Sequence, residues 1–132
     1  ESEILPDVLK VLQLLKKHNT PIALGSASKN ARPILEKVNL LDYFDVIVDG
    51  THVAKAKPDP EVFLIAAKQL GVPPKDCVVF EDAVAGIKAA NNAGMLSIGI
   101  GNDKVLSEAK YVFANFTEID HKFLNKLIAL TP

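Results

Sequence analysis

The sequence predicts an α/β fold in which helices cover both faces of a parallel β-sheet. Short runs of apolar residues alternate along the chain with segments whose apolar residues recur at helical spacing. The short runs are apolar throughout, which is typical of strands that are buried on both faces of a parallel sheet. Strands and helices that alternate in this way form βαβ units, whose consecutive strands run parallel.

The first half of the chain is expected to form two helices and two strands. Apolar residues fall at helical spacing over residues 6–18, and Pro6 suits the first position of a helix because its missing N–H would have no partner there. The apolar run at residues 22–24 predicts a strand that is buried on both faces. A second helix is expected over residues 30–38 and a second strand over residues 45–49.

The second half of the chain is expected to form three further helices and three further strands. After a loop at residues 52–60, Asp59 and Pro60 are typical of a helix N-cap and a first helical residue, and Gly71 is typical of the end of that helix. Gly94 is expected to end the helix that follows the third strand. The other expected strands lie at residues 77–80, 96–100 and 111–113, and the other expected helices lie at residues 84–92 and 117–130.

The composition of these 132 residues excludes several classes of function. The single cysteine excludes an internal disulfide framework and a cysteine-based zinc site. A net charge of −1 does not indicate the excess of basic residues that binds nucleic acid or an anionic membrane. The longest uncharged run, residues 89–102, contains too many asparagine and glycine residues to span a bilayer. The chain opens on Glu1-Ser2-Glu3 without a secretory signal, so we expect a soluble cytoplasmic protein that binds a small molecule, and neither nucleic acid nor membrane.

Polar residues that follow the predicted strands are the candidates for a functional site, because ligands bind beyond the carboxyl ends of parallel strands. Residues 25–30, Gly-Ser-Ala-Ser-Lys-Asn, lie between a predicted strand and a predicted helix. Free N–H groups at the start of a helix favour an anion, and two hydroxyls and an ammonium would complete a phosphate cradle. The alternative is that Ser26 or Ser28 only caps the helix.

Glu81 and Asp82 follow the third predicted strand. Adjacent carboxylates repel each other, so a positive group is expected beside them. Mg²⁺ is typically held by one or two protein carboxylates together with water and phosphate, and it suits this pair. The alternative is that Asp82 caps the next helix while Glu81 is a solvated neighbour.

Lys57 is the third candidate, because Pro58 restrains its backbone and its ammonium could be aimed at a phosphate or a carboxylate. An ordinary loop lysine is the alternative, and Lys55, which no proline follows, is the rival for the role. Together the hydroxyls, the ammonium and the Mg²⁺ ligands would converge on one edge of one sheet as a site that handles phosphoryl groups.

Three segments of the chain resemble sequence motifs of the haloacid dehalogenase superfamily. Residues 24–30, 57–60 and 79–90 resemble its second, third and fourth motifs, and the similarity runs from residues 5 and 6 to the final helix. The Glu-Asp-x-x-x-Gly-Ile pattern that begins at Glu81 is highly specific to the phosphatase and mutase branch of the superfamily. The resemblance implies a Rossmann-like fold, of which residues 1–132 would be the C-terminal portion of the catalytic core, without a cap domain.

The resemblance also implies roles for the candidate residues. Ser26 and Lys57 would bind the phosphoryl group in transfer, assisted by the amide of Ala27, and both are expected to be catalytic. Glu81 and Asp82 would hold Mg²⁺.

A second phosphate site is implied by Ser28, Lys29 and Asn30, because simple phosphatases of the superfamily usually lack this Ser-Lys-Asn extension. Such a site suits a phosphosugar mutase, whose bisphosphorylated intermediate must be held while it is reoriented. The activity expected of the intact protein is therefore the interconversion of β-glucose 1-phosphate and glucose 6-phosphate through an aspartyl-phosphate. The alternatives are a Mg²⁺-dependent sugar-phosphate phosphatase of the same superfamily and a non-catalytic phosphate-binding module.

One part of the family's pattern does not occur in this sequence. The family's nucleophile lies in an Asp-x-Asp motif at the end of the first strand of its fold, and Asp-Pro-Glu at residues 59–61 is the nearest approach here. Without the nucleophile no covalent phospho-enzyme can form, so the chain alone is expected to be inactive. In this family that strand lies between the strands that end at Ser26 and Glu81, and an N-terminal segment of the same protein is expected to supply it.

Overall fold

A computed structural model describes residues 8–26 and 31–130 of the chain, and strands alternate with helices through both ranges as the sequence predicts. The longest helices have ten residues, and across the described ranges no helix has the length and apolarity needed to cross a membrane. The helices are α1 (Val8–Lys17), α2 (Ala31–Lys37), α3 (Glu61–Leu70), α4 (Val84–Asn92) and α5 (His121–Leu130). The strands are β1 (Ala23–Gly25), β2 (Val46–Val48), β3 (Val78–Glu81), β4 (Leu96–Ile100) and β5 (Tyr111–Phe113).

All the strand pairs of the described residues are parallel, which confirms the predicted parallel arrangement. They form two ladders, one with the order β1-β2 and one with the order β3-β4-β5, so the single continuous sheet that was expected is divided between β1 and β3. This is the position at which the family resemblance implies a further central strand.

Helices cover both faces of the strands, as predicted, and the alternation of side chains along β3 makes this visible. Val79 belongs to an apolar cluster with residues of α3 and α4, whereas Val78 and Phe80 pack into a second cluster with residues of α1 and α5. Strand β1 divides in the same way, with Ala23 facing the first cluster and Leu24 facing a third cluster that includes residues of α1 and α2. The two ladders are therefore held by shared helices, since α1 contributes to both the second and the third cluster.

The first strand is packed on both faces but is less buried than the sequence predicts. All three residues of β1 are only half-buried, and the buried residue of the predicted run is Ile22, just before the strand. The physical reason is that β1 pairs with β2 along one edge only, so the described chain leaves its other edge without a strand neighbour.

Two helices begin later than the sequence predicts. The last helix begins at His121 because residues Phe116–Glu118 form a separate 3₁₀ helix, whose N-cap Asn115 accepts a hydrogen bond from the N–H of Thr117. Helix α3 begins after Pro60, although the Asp59 carboxylate still accepts the N–H of Glu61 at 3.0 Å as a capping side chain does. Short 3₁₀ turns of this kind have no periodic apolar signal, and they were not predicted.

Candidate functional site

Three segments of the chain meet at the carboxyl ends of β1 and β3. The ammonium nitrogen Nζ of Lys57 lies 2.8 Å from the carboxylate oxygen Oε2 of Glu81, at the end of β3. The same nitrogen lies 3.4 Å from the carbonyl oxygen of Gly25, at the end of β1. One ammonium group therefore links the two ladders at the edge where a ligand of a parallel sheet binds.

Lys57 is held in a sheltered position. Its side chain is only 19% exposed, and its ammonium lies 5.0 Å from the centre of the Phe63 ring. The rival Lys55 is exposed, donates its backbone N–H to Glu61 and lines a separate shallow groove along α3. Of the two lysines that the sequence offers, Lys57 is the one at the strand ends.

Each oxygen of the Glu81 carboxylate has a partner within the chain. Its side chain is 11% exposed, Oε2 pairs with Lys57, and Oε1 accepts the N–H groups of Asp82 at 3.1 Å and Ala83 at 3.3 Å. The alternative interpretation, in which Asp82 caps α4 beside a solvated Glu81, is therefore wrong: the N-cap is Ala83, and Glu81 takes up the nearby N–H groups. Asp82 itself is exposed beside this pair.

Gly86 makes room for the Glu81 side chain. A Cβ atom built on Gly86 would overlap Cγ, Cδ and Oε2 of Glu81, which are its three nearest atoms. The glycine of the Glu-Asp-x-x-x-Gly pattern thus lies in the first turns of α4, directly against the carboxylate. The sequence pattern singled out this glycine but gave no reason for it, and the close approach of Glu81 supplies one.

Phe63 is a residue of the site that the sequence analysis missed. Its ring lies beside the Lys57 ammonium and also close to Gly25, where an added Cβ would lie 3.2 Å from Phe63 Cε1 and 3.2 Å from Val62 Cγ2. The only sequence signal at this position is the apolar periodicity of α3, which predicts a core residue and nothing more.

The other predicted phosphate-binding residues follow β1. The N–H of Ser26 donates to the carbonyl of Val48 at 2.9 Å, so Ser26 lies directly after the carboxyl end of β1. It is next to Gly25, whose carbonyl oxygen lies 3.4 Å from the Lys57 ammonium. Ala27, Ser28, Lys29 and Asn30 lie outside the described residues. The functional roles assigned to Ser26, Lys57, Glu81 and Asp82, like those of the four undescribed residues, stay predictions.

Asp49, at the end of β2, stabilises the turn in which it lies. Its Oδ1 accepts the hydroxyl of Thr51 at 2.6 Å and the N–H of Thr51 at 2.9 Å, and these hydrogen bonds lower the pKa of the Asp49 carboxyl below its ordinary value. The Asp49 carboxylate thus stabilises its own turn, at the end of a strand in the other ladder from Glu81 and Asp82.

The donor set at the end of β3 fits Mg²⁺. Glu81 and Asp82 offer carboxylate oxygens on adjacent residues, and Mg²⁺ usually takes one or two protein carboxylates and completes its shell with water and phosphate. Within residues 8–26 and 31–130, no group of three or more His, Cys, Asp or Glu side chains comes together, so a cage built only of protein ligands does not occur there. The arrangement suits a hard cation whose remaining ligands are water and a phosphate.

Sequence comparison and structure comparison with known proteins find relatives from the same family. A sequence model of the haloacid dehalogenase-like hydrolase family matches residues 1–94. The β-phosphoglucomutase of Bacillus subtilis is 40% identical over 124 residues, which are 94% of this chain and 55% of that protein. A fructose-1-phosphate phosphatase of Escherichia coli is 44% identical over 82 residues, which are 61% of this chain and 44% of that protein.

A solved structure with a similar fold is the β-phosphoglucomutase of Clostridium difficile. It superimposes with a TM-score of 0.90 at 38% sequence identity, over 96% of this chain and 57% of that one. The chain thus spans about half the length of these relatives.

Proposed function

This chain belongs to the haloacid dehalogenase-like hydrolase family, and from that premise we propose that it is part of a Mg²⁺-dependent phosphosugar mutase. The intact protein would interconvert β-glucose 1-phosphate and glucose 6-phosphate through an aspartyl-phosphate. The observation that carries the phosphoryl chemistry is the position of Lys57, whose ammonium lies between the ends of β1 and β3. The similarity to the β-phosphoglucomutases of B. subtilis and C. difficile supports the choice of a mutase.

Each candidate residue has a distinct task in this proposal. Lys57 and the hydroxyl of Ser26 bind the phosphoryl group, and the Lys57 ammonium offsets the negative charge on its oxygens. Glu81 and Asp82 hold Mg²⁺, which supplies further charge neutralisation at the phosphoryl oxygens when it is bound. The nucleophilic aspartate is assigned to the remaining length of the protein, because this sequence contains no Asp-x-Asp.

The test of the mutase is its product. We expect the full-length protein, incubated with β-glucose 1-phosphate and Mg²⁺, to form glucose 6-phosphate, which ³¹P NMR distinguishes from the substrate and from inorganic phosphate. Release of inorganic phosphate without glucose 6-phosphate would show a phosphatase instead. Binding of phosphate without either product would show the non-catalytic binding module.

A sugar-phosphate phosphatase is the second candidate, and the similarity to the E. coli fructose-1-phosphate phosphatase supports it. Both candidates use Ser26, Lys57, Glu81 and Asp82, so these residues do not separate them. The separating feature is the second phosphate, which only a mutase needs to hold.

Replacing Lys29 with alanine is therefore expected to lower the rate of the mutase reaction strongly while leaving the rate of phosphate release from a sugar monophosphate nearly unchanged. The reason is that the Lys29 ammonium is proposed to hold the non-transferring phosphate, which is absent from a monophosphate hydrolysis. Asn30→Ala should act in the same direction. The measurement is the rate of each reaction for each variant, with the exposed Lys55→Ala as a matched lysine control. Equal losses in both reactions would contradict a separate second-phosphate site.

A further inference from the structure

We propose that Phe63 is a positioning residue for Lys57: its ring holds the Lys57 ammonium at the strand ends, where the phosphoryl group would bind. This inference rests on the proposed function for its consequence, but the contact itself stands on the geometry alone. The Lys57 ammonium lies 5.0 Å from the ring centre, within the range of a cation–π attraction.

The ring is itself fixed in place. Phe63 is 8% exposed and belongs to the apolar cluster formed by α3, α4 and the neighbouring strands. Its edge lies against Gly25 so closely that an added Cβ would be only 3.2 Å from Cε1. A side chain with little exposure and a tight contact to β1 cannot turn away, so its face offers a constant position for the ammonium.

The ring also adds something that the two oxygen partners of Lys57 cannot give. Glu81 Oε2 and the Gly25 carbonyl attract the ammonium at 2.8 and 3.4 Å, but both are hydrogen-bond acceptors that a bound cation or phosphate would disturb. The ring competes for neither Mg²⁺ nor phosphate, so it can keep the ammonium in place while those ligands change. We therefore assign to Phe63 the task of limiting the positions that the flexible lysine stem can adopt.

The consequence is a weaker phosphate site when the ring is removed. In the full-length protein with Mg²⁺, we expect Phe63→Leu to raise the dissociation constant of inorganic phosphate about fivefold, the scale of a partly desolvated cation–π contact. KM for the sugar phosphate should rise together with this constant. Leucine keeps an apolar side chain at the position, so the change tests the aromatic face more than the core.

Phe123→Leu is the matched control, because it removes an aromatic ring that packs on Tyr111 and Phe113 in the second apolar cluster, away from the site. It should lower stability without changing the phosphate dissociation constant. If Phe63→Leu binds phosphate as tightly as the wild-type protein while only its melting temperature falls, Phe63 is a core residue and the proposal is overturned.

A second measurement needs no variant. In the wild-type protein, NMR should place the Hε protons of Lys57 upfield of those of other lysines, with contacts to the Phe63 ring protons. Unshifted Lys57 signals without such contacts would overturn the positioning role even if phosphate binds. Failure of the wild-type protein to bind phosphate would instead overturn the proposed function, while the NMR signals would still decide whether the ring holds the ammonium.

Discussion

Replacing Gly86 with alanine is expected to lower the full-length protein's turnover in the proposed reaction roughly 100-fold, the scale of a misplaced catalytic group. The new Cβ would overlap Cγ, Cδ and Oε2 of Glu81, so the carboxylate has to leave its position. In leaving, it gives up the ion pair with Lys57 and the N–H groups of Asp82 and Ala83. The measurement is the steady-state rate together with Mg²⁺ affinity by titration calorimetry, and both should fall.

A double-mutant cycle separates this overlap from any general effect on α4. Alanine has a higher helix propensity than glycine by about 1 kcal/mol, so without the overlap Gly86→Ala should stabilise the helix. In a Glu81→Ala background the overlapping atoms are gone, and we expect Gly86→Ala to raise the free energy of unfolding there while lowering it in the wild-type background. Equal effects in both backgrounds would mean that Glu81 does not lie against Gly86.

Much of the fold could be predicted from the sequence because its signals are local. The strand at residues 96–100 and the helix at residues 84–92 have the predicted bounds, and Gly94 adopts the left-handed conformation expected after a helix end, with φ of +78°. The last helix begins later than predicted because Asn115 and Asp120 accept N–H groups and so stabilise two separate turns. Such capping by side chains competes with apolar periodicity and is harder to detect in the sequence.

The site could be predicted only in part, for a different physical reason. The charged residues at strand ends could be found because parallel strands bring their carboxyl ends together. The sequence predicts a positive group beside Glu81 and a Lys57 ammonium aimed at a phosphate or a carboxylate, but it does not join the two predictions, since the two residues are distant in the chain. Phe63 was missed because a ring beneath an ammonium has the same sequence signal as a ring in the core.

The division of the strands into two ladders shows what the local sequence pattern and the family resemblance each predict. The pattern of strands and helices predicts one sheet, and the family resemblance predicts that a central strand lies between the strands ending at Ser26 and Glu81. The described residues form two ladders at that position, with the Lys57 side chain as a link between their carboxyl ends. Local patterns alone could not predict the division, because strand order is a property of the whole fold.

In the proposed reaction, replacing Lys57 with methionine is expected to have the largest effect on the chemistry. We expect kcat/KM for the proposed sugar-phosphate substrate to fall roughly 100- to 1000-fold, as for the loss of a group that stabilises developing charge. Methionine keeps the length and the apolar stem of the side chain but removes the ammonium. The Glu81 carboxylate then loses its cation partner while its side chain stays mostly buried, so the free energy of unfolding should fall by about 1–3 kcal/mol. Steady-state kinetics and urea denaturation measure the two effects.

Two further variants separate the role in stability from the role in chemistry. Glu81→Gln in the Lys57→Met background removes the unpaired charge, so stability should recover. Turnover should stay low, because both the Lys57 ammonium and a proposed Mg²⁺ carboxylate are then missing, so this variant tests the role in stability only. Lys55→Met removes a lysine from the exposed part of the same loop, and it should leave turnover unchanged and stability within about 0.5 kcal/mol. If Lys55→Met lowers turnover as strongly as Lys57→Met, the loop contributes only its general charge, and the assignment of phosphoryl binding to Lys57 is wrong.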